Sequence, residues 1–138
     1  MTAAENLKRV PLFSDLDGRQ LKKLAGQFRE RTFQPGTSIV QEGMMSGVGF
    51  FVITEGEASV QVDGNEAATL SSGDHFGEIA LGSEVERTAT VTARTELRCL
   101  EIPFWDFREF ALKNPDVTWK LLQHVVRCFR PRARPRSE

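Results

Sequence analysis

Between Phe76 and Ala93 the sequence sets a glycine and a carboxylate, Gly77 and Glu78, ahead of a short apolar turn, Ile79-Ala80-Leu81. An arginine, Arg87, then returns at the head of an alternating run, Thr88-Ala89-Thr90-Val91. These residue types suit an anion carried on a sugar. A helix N-terminus offers unpaired N–H groups and a partial positive charge to a phosphate. Gly77, lacking a Cβ, lets the backbone approach the ligand closely. The Glu78 carboxylate can accept a hydrogen bond from a hydroxyl, and the Arg87 fork can donate to two phosphate oxygens.

The segments around this stretch read as mainly β with flanking helices. Leu7 to Phe13 is an apolar lead-in closed by Ser14, read as a helix cap. Leu16, Leu21, Leu24, Ala25 and Phe28 then share one face of a helix of roughly four turns. Gly18 weakens its first turn and favours a start near Arg19. From Arg29 the period becomes two. Strand runs at 29–33, 37–40, 50–53, 58–62, 67–70, 88–94 and 97–102 are separated by turn residues such as Pro35-Gly36, Asp63-Gly64 and Gly73-Asp74. Many short, evenly spaced strands predict an antiparallel sandwich or barrel. Pro103 stops the last strand, Phe104 to Ala111 has helical spacing, Asn114-Pro115 breaks it, and Val117 to Phe129 forms a second helical face.

At 138 residues the chain has room for one domain rather than two, and 40% hydrophobic with 27% charged residues allows an ordinary packed core. No apolar run is long enough to cross a bilayer, and the N-terminal residues lack a signal peptide's basic-then-apolar order, so a cytoplasmic protein is expected. Cys99 and Cys128 are too few and too far apart for a disulfide framework or zinc site, and Cys99 reads as core packing. The net charge of −1 conceals an asymmetry: residues 127–138 carry five arginines against Glu138, a net of +4, and the rest sum to −5. Pro131 and Pro135 prevent a continuous helix there, so residues 1–129 are expected to form the domain and 130–138 a basic, disordered tail.

Phe76-Gly77-Glu78, Ile79, Ala80-Leu81, a spacer from Gly82 to Glu86, and Arg87-Thr88-Ala89-Thr90-Val91 together resemble the phosphate-binding cassette of cyclic nucleotide-binding domains. Pro35-Gly36, Glu42-Gly43, Phe51-Val52-Ile53 before Gly56, and Gly73-Asp74 also fall where that family places its β-roll turns. The resemblance implies a jelly-roll-like antiparallel β-roll with an N-terminal helix and two C-terminal helices, a hinge (Phe104 to Ala111) and a lid (Val117 to Phe129). It also implies a 3′,5′-cyclic nucleotide as ligand. Arg87 would meet the cyclic phosphate, with Thr88, Ala89 and the backbone around Ile79, Ala80 and Leu81. Glu78 would meet the ribose 2′-hydroxyl beside Gly77, and residues near Val60 would wall the base.

Trp119, Arg127 and Phe129 are the candidate lid contacts, with Trp119 also readable as core. cAMP is favoured and cGMP retained, because threonine at 88 occurs with either. Gly82 replaces a bulky aliphatic residue of the family pattern and Glu86 a frequent proline, which predicts weaker binding than in a typical member. No catalytic cofactor and no enzymatic activity are expected, since His75 is the one histidine of the roll and is read as a rim residue. Partners would be an effector protein, or a second copy met through the last helix. With no helix-turn-helix sequence after that helix, direct operator recognition is not expected. The alternative is a fold that binds no nucleotide and serves as a protein-interaction module.

Overall fold

Phe50-Phe51-Val52-Ile53 is apolar on both faces because the strand carrying it lies between two cores. In the computed structural model, which describes residues 2–40, 49–77 and 89–128, this strand is β3 (Gly49–Glu55). The others are β1 (Arg29–Phe33), β2 (Ser38–Val40), β4 (Ala58–Val62), β5 (Asn65–Leu70), β6 (His75–Phe76), β7 (Thr90–Ala93) and β8 (Leu97–Pro103). They form two four-stranded sheets, ordered β1-β8-β3-β6 and β2-β7-β4-β5, with antiparallel pairing throughout the described ladders. This is the expected β-roll with flanking helices. At the β4–β5 hairpin Asp63 and Gly64 both have positive φ, 53° and 80°, the pair of conformations that a two-residue turn needs to match strand twist.

Alternation along β3 and β8 divides the apolar residues between two clusters. Phe51, Ile53, Leu97 and Cys99 face the roll interior, where they meet Phe76, Val91 and Ala93. Phe50, Val52, Leu100 and Ile102 face the helices. Cys99 is 1% exposed. Burial, reinforced by the Glu101 carboxylate, pushes its thiol from 9.0 up to about 12. Cys99 is therefore expected to resist iodoacetamide in the native protein, while exposed Cys128 is alkylated; peptide mapping in buffer and in urea checks both. A thiol pKa raised on folding contributes stability in full below about pH 9. That contribution is lost as pH rises towards about 12.

The helical layer starts earlier than the sequence reading placed it. Thr2 caps α1 (Ala3–Lys8) in a reciprocal box: the Glu5 N–H donates to Thr2 Oγ1 at 3.1 Å, and the Thr2 N–H to Glu5 Oε1 at 2.7 Å. A 3₁₀ turn follows at Pro11–Phe13. Ser14 caps the end of this 3₁₀ turn rather than the start of the next helix: its N–H and its hydroxyl donate back to the Pro11 carbonyl at 3.1 and 2.7 Å. The cap of α2 (Gly18–Ala25) is Asp17, boxed with Gln20 at 2.8 and 3.0 Å. That box sets the start at Gly18 and leaves a helix of 8 residues, shorter than expected, with Phe28 beyond its end.

Pro103, extended, precedes α3 (Phe104–Lys113), and Pro115 opens α4 (Pro115–Cys128) where its missing N–H costs nothing. Between them Asn114 Nδ2 donates to the Phe110 carbonyl at 2.9 Å, and Thr118 Oγ1 to the Ala111 carbonyl at 2.6 Å. Leu7, Val10, Phe13, Leu21 and Leu24 from the N-terminal end pack with Phe110, Val117 and Leu121 from the C-terminal end.

Candidate functional site

The two ends of the cassette are fixed in different sheets. Its first residue, Phe76, is buried and stacks on Phe51 with ring centroids 4.8 Å apart and planes within 10°. Phe51 in turn meets the edge of Phe33 at 6.1 Å. Gly77 follows with φ +84°, a left-handed conformation that side chains rarely adopt and that turns the chain sharply out of β6. The preceding turn hangs on β3: the Gly73 N–H donates to the Ile53 carbonyl at 2.9 Å, and the Ile53 N–H to the Asp74 carbonyl at 2.8 Å. At the far end Ala89 is half-buried, and β7 lies between β2 and β4 in the second sheet, with Val91 opposite Val60. Val60, expected as a wall for the base, packs against the roll cluster.

Glu78, Ile79, Ala80, Leu81, Arg87 and Thr88 lie outside the described residues, as does Phe129. Of the lid candidates, Trp119 is 60% exposed and so is not core. Arg127 donates to the Asp15 carboxylate in the segment before α2, so its observed partner is the N-terminal unit. The same unit holds the start of α4. Gln20 Nε2 donates to Asp116 Oδ2 at 2.9 Å, Lys120 Nζ donates to Gln20 Oε1 at 2.8 Å, and the Gln20 amide holds the Asp116 carboxyl below its ordinary range. His75, expected at the rim, has its ring 5.5 Å from Phe50 of the helix-side cluster.

One pair near the site escaped the sequence reading. Arg31 Nη1 donates to Glu101 Oε1 at 2.5 Å, with the Glu101 side chain only 8% exposed. Glu101 stands opposite Phe51, which stands opposite Phe76, so the carboxylate shares a row and a face with the first cassette residue. The Arg31 guanidinium also lies 5.0 Å over the Phe33 ring. Removing Arg31 would leave a buried carboxylate unpaired. Only the register of β1 on β8 brings the two charges together, and no local motif signals it. A separate groove of about 620 Å³ runs between α1 and strands β1, β3 and β8, lined by Asn6, Arg9, Thr32, Glu55 and Arg98 among others. Its lining mixes both signs of charge and does not include Phe76 or Gly77.

This arrangement, a β-roll whose aromatic-anchored turn carries the chain from one sheet to the other, matches a known family. The profile of the cyclic nucleotide-binding domain covers residues 30–114. The chain belongs to the cyclic nucleotide-binding domain family.

Among members of this family, the domain is 43% identical over 94 residues to the cAMP-dependent protein kinase regulatory subunit of Yarrowia lipolytica, covering 67% of this chain and 25% of that protein. It is 34% identical over 106 residues to the potassium/sodium hyperpolarization-activated cyclic nucleotide-gated channel 4 of Homo sapiens, covering 77% of this chain and 9% of the channel. The N-terminal domain of a transcriptional regulator from Streptomyces coelicolor A3(2) superposes with a TM-score of 0.84 at 33% identity, over 91% of this chain and 92% of that one. The chain spans a quarter or less of the length of the curated relatives it matches. Among the described residues no helix is long and apolar enough to cross a membrane.

Proposed function

We propose that residues 1–129 bind a 3′,5′-cyclic nucleotide, cAMP in preference to cGMP, within Phe76 to Ala93, and that α3 and α4 convey occupancy to an effector in the cytoplasm. The observation that carries this reading is the turn at Phe76-Gly77. A stacked, buried phenylalanine followed by a left-handed glycine turns the chain out of the edge strand β6, and the chain is next described entering β7, between β2 and β4 of the other sheet. The kinase regulatory subunit named for cAMP supports the choice of base. Arg87 neutralises the single phosphodiester charge, and the Glu78 carboxylate accepts from the ribose 2′-hydroxyl. A ligand acts only by binding two conformations unequally. The Asp15–Arg127 and Gln20–Asp116–Lys120 contacts provide an arrangement of α4 that such a ligand would favour or release.

Calorimetric titration with cAMP and cGMP tests the proposal. Saturable heat with tighter cAMP binding is expected. No heat and no thermal shift with millimolar nucleotide would overturn it and leave the interaction-module reading. Glu78→Ala is expected to lose about 1.5–3 kcal/mol, the usual range for a hydrogen bond to a charged group. It should also narrow the preference for cAMP over 2′-deoxy-cAMP. An unchanged ratio between those two ligands would remove Glu78 from the ribose site.

A further inference from the structure

The first residue of the cassette stands on a short edge strand. Strand β6 has 2 residues, ends the sheet order β1-β8-β3-β6, and pairs with β3 at Phe51–Phe76 and Val52–His75. So short a ladder leaves the place of Phe76 largely to its side-chain contacts.

Those contacts cross the whole sheet. Phe76 stacks on Phe51 at 4.8 Å, Phe51 meets the edge of Phe33 at 6.1 Å, and the Arg31 guanidinium lies 5.0 Å over the Phe33 ring. Arg31 and Phe33 belong to β1, at the opposite edge of the sheet. Glu101, on β8 between β1 and β3, stands opposite Phe51 and accepts from Arg31 at 2.5 Å. The row of rings therefore runs from a clamped guanidinium on β1 to the start of the cassette on β6.

Stability alone gives little reason for this pair. Glu101 is buried, and apolar replacements of a buried ion pair are often as stable as the pair or more so. What the pair adds is direction. A carboxylate carried by β8 sets where the guanidinium lies, and the guanidinium in turn faces the Phe33 ring.

We propose that Arg31 and Glu101 are positioning residues for the cassette: the pair fixes the Phe33–Phe51–Phe76 row and with it the point at which Gly77 turns out of β6. A ligand site needs its supporting side chains locked to within about 0.5 Å, so loosening the row lowers nucleotide affinity. That consequence rests on the proposed nucleotide binding; the placing of Phe76 does not.

The test replaces both charges by apolar groups, Arg31→Met/Glu101→Leu, because removing one alone strands the other and can prevent folding. The double variant is expected to melt at or above the wild-type temperature. Without nucleotide, amide hydrogen exchange in the peptide carrying His75 to Gly77 should quicken about tenfold, while the β4–β5 hairpin exchanges at the wild-type rate. Affinity for cAMP, measured by calorimetry well below the melt, should fall about two- to thirtyfold, the range for substitutions in a packed network that touch no ligand. At that temperature both proteins are fully folded, so a pair that served stability alone would leave both readouts unmoved. Wild-type exchange at His75 to Gly77 overturns the proposal, as does faster exchange in every strand with a lowered melt. Unchanged affinity in the variant, where the wild type binds, also overturns it. Faster exchange confined to His75 to Gly77, with no nucleotide bound by the wild type, upholds the positioning and overturns the binding reading.

Discussion

Arg87→Ala is expected to weaken cyclic nucleotide binding by about 2–5 kcal/mol, the usual cost of removing one partner of a buried charge pair. That is roughly 30-fold to several thousandfold in affinity. A cyclic phosphodiester carries one negative charge, and Arg87 is the cassette's one arginine. Without it the ligand must be desolvated against backbone dipoles alone. Arg87→Lys should fall between, because it keeps the charge and loses the two-pronged donation. Calorimetry on each variant measures the loss. A thermal melt without nucleotide should show little change, separating ligand contact from folding. Wild-type affinity in Arg87→Ala would mean that the phosphate sits elsewhere.

Phe51→Ala is expected to cost about 3–5 kcal/mol of stability, the range for truncating a buried aromatic residue. Phe51 is 1% exposed, stacks on Phe76, meets Phe33 edge-on and stands opposite Glu101. Its loss opens a cavity in the roll cluster and frees the first residue of the cassette. Since domains of this size are stable by about 5–15 kcal/mol, the variant should remain folded at low temperature with a much reduced urea midpoint and an unchanged slope. A loss below about 1 kcal/mol would show that the cluster collapses around the gap.

The strands were largely legible from the sequence because their signal is local. Period-two alternation and turn residues such as Asp63-Gly64 located seven of the described strands to within a few residues. The eighth, His75–Phe76, has 2 residues, too few to show a period. Helix α1 was missed because its 6 residues carry one buried side chain, Leu7; the Thr2–Glu5 box was the available signal. Ser14 drew the cap assignment because the stronger Asp17–Gln20 box lies only three residues on. The cassette was legible as a motif, and Phe76 and Gly77 within it now have a structural reason, the stack on Phe51 and the left-handed turn out of β6. The Arg31–Glu101 pair and the Asp15–Arg127 contact join residues 70 and 112 positions apart. Such contacts depend on how strands and helices pair across the fold, which a local pattern does not encode.

The shared cluster of the first and last helices also fixes an order of assembly. Leu7, Val10 and Phe13 leave the ribosome about a hundred residues before Phe110, Val117 and Leu121, which belong to the cluster that buries them. At about 5–20 residues per second, the early apolar side chains wait several seconds or more for those partners. The roll, whose strands lie between, has time to pair before the chain ends meet. Closure of the two termini over its outer face is then the late step, and substitutions at Leu7 or Leu121 should speed unfolding more than they slow folding.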